Sequence, residues 1–267
     1  MSIIKVEQLE TGYEKNTIYR DLTLELPKGK ITTIIGPNGC GKSTLLKTIG
    51  RMLKPTKGQV YLDGKDMQKM NTRDISKKLS VLSQNPVAPY ELQVEELIAY
   101  GRYPHRKGFY SLTPEDKEII EWAIEKTGLL EYRSREIGSL SGGQRQKVWL
   151  ALALAQDTDV LLLDEPTTFL DLCHQIEILD TIRELNLEEH RTIVMVLHDI
   201  NHAARFSDHM IAMKAGKVIA EGKPSHIMKE DILRDLFQID ARIINDPYDG
   251  IPVCIGYQSM SKLSVIK

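Results

Sequence analysis

Aromatic residues make up only 6% of this 267-residue chain, and it has three cysteines. Cys40, Cys173 and Cys254 stand far apart with no CxxC pair. That spacing argues against a disulfide framework or a cysteine-built zinc site and suits a reducing cytosol. Long hydrophobic runs are also missing: the longest, Val148 to Ala155, has eight residues, against the ~20 needed to cross a bilayer. Charge is balanced, with 35 Lys and Arg against 37 Asp and Glu and a net charge of -2. Without a basic excess, no nucleic-acid partner is expected. The opening MSIIKVEQLETGY carries charges inside its first apolar run, unlike a signal peptide. No repeat, low-complexity tract or long charge run appears. What remains is an ordinary globular composition, 42% hydrophobic and 27% charged. The chain is long enough for one large domain or two small ones with a substantial core.

Along the chain, IIKVEQLETGY, TIYRDLTLEL and KITTIIG read as strands, alternating or running apolar with β-branched residues. Leu45, Ile49 and Leu53 recur every fourth residue and predict a helix over Thr44 to Leu53. GQVYLDGKDM predicts a hairpin turning at Asp63-Gly64, and KLSVLSQN a further strand. From Val87 to Asp157 the texture turns helical, with a capped start at Thr113-Pro114-Glu115-Asp116. Strands return at VLLLDEP and TIVMVLHD around a helical QIEILDTIRELN, and HMIAMKAGKVIAEG closes as a hairpin at Ala215-Gly216. This alternation predicts an α/β fold with a buried, largely parallel sheet and an inserted helical lobe at 87–157. Ala241 to Lys267 shows no readable pattern.

GPNGCGKS fits the pattern G-x-x-x-x-G-K-[ST], with Gly36, Gly41, Lys42 and Ser43 in register around Pro37, Asn38, Gly39 and Cys40. The chemistry requires that order. Glycines let backbone N–H groups curl around phosphate oxygens, and the following helix turns its positive end to the same anion. Lys42 then meets the β- and γ-phosphates, and Ser43 offers a hydroxyl to Mg²⁺. Cys40 has two readings: a thiol made reactive by the helix N-terminus, or simply a small residue that fits the loop. A second glycine turn, LSGGQ, lies more than a hundred residues later, where Ser141, Gly142 and Gly143 precede another helix. By the same physics it is a second anion-binding N-terminus.

VLLLDEP sets Asp164 and Glu165 at the end of an apolar strand, a poor place for merely solvated acids. In a nucleotide site Asp164 serves Mg²⁺ and Glu165 orients or deprotonates the attacking water. His198 follows the apolar run TIVMVL at the same sheet edge and is read as a phosphate contact. With His202 it also has the i, i+4 spacing of a zinc helix. That motif needs both histidines in one helix and a Glu between them, whereas here Asp199 follows a strand.

Taken together, GPNGCGKS, Gln84, LSGGQ, LLLDEP and His198 occur in the order of the ATP-binding cassette (ABC) ATPases, which the chain resembles over residues 3 to 240. The resemblance implies a phosphate-loop nucleotide-binding domain over 1–240, with a RecA-like core, an N-terminal antiparallel β subdomain, the helical lobe, and a C-terminal extension at 241–267. It implies that Tyr13 stacks on adenine, and that Gly36 to Thr44, with Lys42, Ser43 and Thr44, hold phosphates and Mg²⁺. It also implies that Gln84 reaches Mg²⁺ and the attacking water, that Asp164 and Glu165 are the Mg²⁺ acid and the base, and that His198 meets the γ-phosphate. Ser141, Gly142, Gly143 and Gln144 then serve ATP held by another subunit in a head-to-tail homodimer, and Asp171 belongs to the loop communicating across it. Phe169 departs from the small residue usual in that loop.

Hydrolysis without a substrate site must drive something else. The resemblance implies permease subunits in the membrane, an extracytoplasmic substrate-binding protein, and a peripheral position on the cytoplasmic face. VEELIAYGRYPH is similar to the same stretch in importer ATPases for ferric siderophores, haem and cobalamin. Pro86 to Phe109 would then receive the permease, with Arg102, Tyr103 and His105 on that surface. Zinc, manganese or phosphate importers, exporters, soluble ABC ATPases acting on DNA or ribosomes, and metabolic kinases are the competing classes. A single cassette with no heptad run disfavours the soluble ATPases.

Overall fold

The computed structural model describes residues 1–13, 16–106 and 112–260. The chain forms two units, Met1–Gln68 with Val194–Lys267, and Lys69–Ile193.

The first unit opens with β1 (Ser2–Tyr13) and β2 (Asn16–Pro27), followed by β3 (Ile31–Ile35), α1 (Lys42–Ile49), β4 (Lys57–Leu62) and β5 (Lys65–Asp66). In β2 the alternation of Leu22, Leu24 and Leu26 with exposed residues buries one face, the signature of a half-covered sheet. An antiparallel sheet of order β2-β1-β4-β5 results, in which Val6 lies opposite both Leu24 and Val60. Asp63 and Gly64 turn β4 into β5 with φ of 51° and 72°, as the Asp-Gly pair predicts. β3 is buried at all five positions, as suits a strand covered on both faces. Helix α1 begins two residues earlier than the apolar spacing predicts and ends at Gly50, where Arg51 turns left-handed with φ 59°. Leu53 therefore lies outside it.

In the second unit come α2 (Thr72–Ser76), β6 (Leu79–Leu82), α3 (Val94–Ala99), a 3₁₀ turn (Tyr100–His105), α4 (Pro114–Lys126), α5 (Gly142–Ala155), β7 (Val160–Asp164) and α6 (Leu172–Glu189). β6 and β7 pair in parallel from Leu79–Val160 to Leu82–Leu163. Thr113 and Asp116 cap α4 reciprocally, side chain to backbone in both directions, which makes Thr113 the predicted start. α3, α4 and α5 pack on one another, and Ile98, Ile120, Ile124, Leu150 and Leu154 on these helices are all buried.

β8 (Thr192–Val196) carries the chain back to the first unit, which continues with α7 (Ile200–Phe206), β9 (His209–Lys214), β10 (Lys217–Gly222), α8 (Pro224–Ile227), α9 (Glu230–Phe237), β11 (Ile239–Asn245) and β12 (Pro252–Ser259). β9 runs parallel to β3 and antiparallel to β10. The described part of the stretch without a readable pattern, residues 241–260, holds an antiparallel hairpin, β11 with β12. Asn201 of α7 fastens it: its Nδ2 donates to the Cys254 carbonyl at 3.1 Å, and its Oδ1 accepts the Cys254 N–H at 2.8 Å.

Candidate active site

In the first unit, β3 ends at Ile35 and the chain turns at once through Gly36 to Gly41 into α1. Asn38 and Gly39 form an exposed tip, while Gly36, Cys40, Lys42 and Thr44 are buried. Lys42 reaches back into its own loop, its Nζ donating to the carbonyls of Gly36 at 2.8 Å and Pro37 at 3.1 Å. The ammonium is thereby held at the mouth of the helix, whose leading N–H groups have no intrahelical partner. At Gly41, φ is 112° and a Cβ would come within 2.4 Å of the Tyr19 hydroxyl, so glycine is required. Tyr19 itself is fully buried and donates its hydroxyl to the Gly41 carbonyl. This support was not readable in the sequence, where Tyr19 is one more strand residue. Burial pushes the Cys40 thiol above its ordinary value, outweighing the Lys42 charge beside it. The structure thus favours Cys40 as a small residue that fits the loop, not as a reactive thiol.

His198 lies two residues beyond β8, exposed, next to Leu197, whose N–H donates to the Ile34 carbonyl of β3 at 3.4 Å. The end of β8 and the entry to the phosphate loop are thus side by side. The zinc geometry is not present: Asp199 caps α7, accepting the N–H groups of Asn201 and His202 at 2.8 Å each, and His198 stands outside that helix. Tyr13 ends β1, paired with Asn16 and 44% exposed, a ring with an open face.

In the second unit, β7 delivers Asp164 and Glu165, both buried. Glu165 takes φ 55°, a left-handed conformation uncommon for a residue with a side chain. Its Oε2 accepts from Gln84 Nε2 at 2.6 Å and from the Thr168 hydroxyl at 3.0 Å. The parallel register explains the first bond, because Leu82 lies opposite Leu163 and the strands end within one residue of each other. Gln84 and Glu165 are therefore brought together. Thr168, one residue before Phe169, carries no motif signal of its own in the sequence.

Ser141 is the N-cap of α5, its hydroxyl accepting the Gln144 N–H at 3.2 Å while Gln144 Oε1 accepts the Ser141 N–H at 2.9 Å. The SxxQ spacing inside LSGGQ is thus a capping box, which leaves the N–H groups of Gly142 and Gly143 leading the helix. Asp171 caps α6, and the His174 N–H and ring hold its carboxyl below the usual range. Phe169, in a left-handed turn with φ 64°, is 89% exposed.

The 3₁₀ turn divides its residues sharply. Tyr103 is 75% exposed, with Val87, Tyr90 and Tyr100 also open. Arg102 is only 3% exposed, so it is removed from the expected outer surface. Its Nε pairs with Asp116 Oδ1 at 2.7 Å, and a second nitrogen donates to the Ala155 carbonyl at the end of α5 at 3.0 Å. His105 is half-buried, its Nε2 2.9 Å from the Gln156 carbonyl. Phe109 lies outside the described residues. Among those described, no helix is long and apolar enough to cross a membrane.

Residues 19–168 match the ABC transporter family. The iron(3+)-hydroxamate import ATP-binding protein FhuC of Bacillus subtilis is 56% identical over 257 residues, 96% of each chain. Among solved structures, a metal-chelate type ABC transporter in an inward-facing conformation superposes with a TM-score of 0.83 at 25% identity, covering 98% of this chain and 99% of that one. The dimeric structure of a bacterial ABC transporter cassette gives a TM-score of 0.73 at 30% identity, over 82% of this chain and 98% of that one. The family match covers more than half of the residues and includes the phosphate loop, the LSGGQ turn and the Asp164-Glu165 pair, so the chain belongs to the ABC transporter family as an ATP-binding subunit that hydrolyses ATP.

Proposed function

We propose that this chain powers import of ferric siderophores, as a homodimer whose two subunits stack head to tail on ATP beneath separate permease subunits at the cytoplasmic membrane face, served by an extracytoplasmic binding protein. The observation that carries the cargo is the 56% identity, over 96% of both chains, to a protein named for iron(3+)-hydroxamate import. A cassette of the same family solved as a dimer supports the assembly. The exposure of Val87, Tyr90, Tyr100 and Tyr103 supports a permease surface on the helical lobe, because exposed large apolar and aromatic side chains are what a partner covers.

The family resemblance assigns Gly36 to Thr44 and the motifs of the second unit to one nucleotide. Tyr13 stacks on the adenine. Gly36, Pro37, Asn38, Gly39, Cys40 and Gly41 wrap the phosphates with backbone N–H groups, and Lys42 exchanges its two carbonyl partners for phosphate oxygens. The family resemblance gives Mg²⁺ to the Ser43 hydroxyl, the Asp164 carboxylate and the Gln84 carboxamide oxygen, which as hard oxygen ligands would suit that ion. When bound, the ion offsets charge between the phosphates. Glu165, aimed by Gln84 and Thr168, takes the proton of the attacking water, worth ~10²–10⁴ in rate. His198 donates to the γ-phosphate. Across the dimer, Ser141 and the N–H groups of Gly142 and Gly143, propped by Gln144, close on the partner's ATP, and Asp171 contacts the facing loop. Hydrolysis opens the pair.

The test is Glu165→Gln with sedimentation in ATP. The expected outcome is ATP binding, turnover reduced at least 100-fold, and a stable dimer that dissociates when ATP is removed. Unchanged turnover refutes the base; a monomer at saturating ATP refutes the assembly.

A further inference from the structure

The N-terminal turns of α5 and α6 touch, and one side chain fills the joint. Gly143 is buried, and a Cβ placed on it would lie 2.7 Å from Cδ2 and 2.9 Å from Cγ of His174. Only glycine lets the helix backbone rest on that ring. On its other side the imidazole Nδ1 is 2.8 Å from Asp171 Oδ1, the oxygen that also accepts the His174 N–H at 3.0 Å. A carboxylate only accepts, so Nδ1 carries the proton. One turn on, Lys147 of α5 pairs with Glu177 of α6 at 2.7 Å, a second staple between the same two helices. From Asp171 the backbone leads back through Phe169 to Thr168, whose hydroxyl fixes Glu165 Oε2.

We propose that His174 is a positioning residue that couples the two ATP sites of the dimer, relaying engagement of the partner's ATP on the Ser141–Gly143 turn to the Asp171 loop and, through Thr168, to this chain's own base. The proposal rests on the head-to-tail assembly proposed above. A signature turn drawn onto a phosphate moves against the imidazole, and a ring in van der Waals contact cannot yield without shifting. The Nδ1 bond passes that shift to Asp171. Three residues upstream, the Thr168 hydroxyl sets where the Glu165 oxygen points, and with it where water is activated. The steric contact and the polar contact act in series, so losing either one uncouples the sites. The Lys147–Glu177 pair only aligns the helices.

The experiment is ATP titration of the full-length chain's ATPase activity, with ATP-dependent dimerisation followed by sedimentation and folding by thermal melting. His174→Phe keeps a ring on Gly143 without the donor. His174→Asn keeps a donor near Nδ1 without the ring. Lys147→Ala removes only the staple. The wild-type Hill coefficient is expected between about 1.5 and 2, the ceiling for two sites. Both His174 variants should fall to about 1 while still dimerising, and Lys147→Ala should stay cooperative. Retained cooperativity in either His174 variant, or its loss in Lys147→Ala, overturns the relay but leaves the dimer standing. Absence of both cooperativity and ATP-dependent dimers in the wild type overturns the assembly and the relay with it.

Discussion

Replacing Arg102 by Met tests whether this residue is a buried strut. In the structure its guanidinium is 3% exposed, paired with Asp116 at 2.7 Å and bonded to the Ala155 carbonyl at 3.0 Å. Removing one partner of a buried ion pair costs ~3–5 kcal/mol, because the other charge stays buried and unmatched. Loss of a cation at the C-terminal end of α5 adds to this, about 0.3–1 kcal/mol from the helix dipole. Asp116 keeps its bonds from Thr113, which places the expectation toward the lower end, about 3 kcal/mol. At roughly 2–4 °C per kcal/mol for a chain of this class, the melting midpoint should fall by roughly 6–12 °C. Adding Asp116→Leu should recover part of the loss, since an apolar pair replaces the orphaned charge. Urea denaturation of both variants measures the difference. A loss below about 1 kcal/mol, or strictly additive effects, refutes the strut. The pH dependence follows with a definite sign. Burial alone raises the Asp116 carboxyl, but the bonds from Arg102 and Thr113 outweigh it and hold it below the ordinary 3.8. Its stabilisation is therefore full above the unfolded-state value and is lost as pH falls below about 4 through the lower folded-state value. The part of that acid loss owed to Arg102 should be absent from Arg102→Met.

Two further variants probe the site and the surface. Gly41→Ala must adopt φ 112° and displace the Tyr19 hydroxyl 2.4 Å away, strain of about 1–3 kcal/mol; ATP affinity measured by calorimetry should drop at least 10-fold, and unchanged affinity counts against the loop geometry. Tyr100→Ala with Tyr103→Ala removes two exposed rings and should leave the melting midpoint and ATP binding intact while abolishing membrane recruitment in cells; recruitment at the wild-type level means the permease sits elsewhere.

The phosphate loop, the LSGGQ turn and the Asp164-Glu165 pair were legible because backbone chemistry dictates their residue types and spacing. Thr113 was legible because a capping box is local. What escaped depends on distant contacts. Arg102 reads as a surface cation until α4 and the end of α5 are packed around it. Leu53 continues the helical period of Leu45 and Ile49, yet the helix stops at Gly50, which the period ignores. The β11–β12 hairpin hides its pattern because Ile244, Ile255 and Tyr257 are exposed while Ala241 and Cys254 are buried, with a register shift at Arg242 and Ile243. Its attachments are equally distant from any local pattern: Asn201 holds Cys254 from a helix more than fifty residues earlier, and Arg205 pairs with Asp249. Tyr19, Thr168 and His174 act through partners that no local spacing marks.

The most direct test is uptake of labelled ferric hydroxamate by cells whose only copy of this protein is Glu165→Gln, with haem and cobalamin uptake as parallel controls. Loss of the ferric hydroxamate signal alone, with the protein still recruited to the membrane, is the predicted result. Undiminished ferric hydroxamate uptake contradicts the proposed cargo, and loss of haem or cobalamin uptake in its place names the importer it serves.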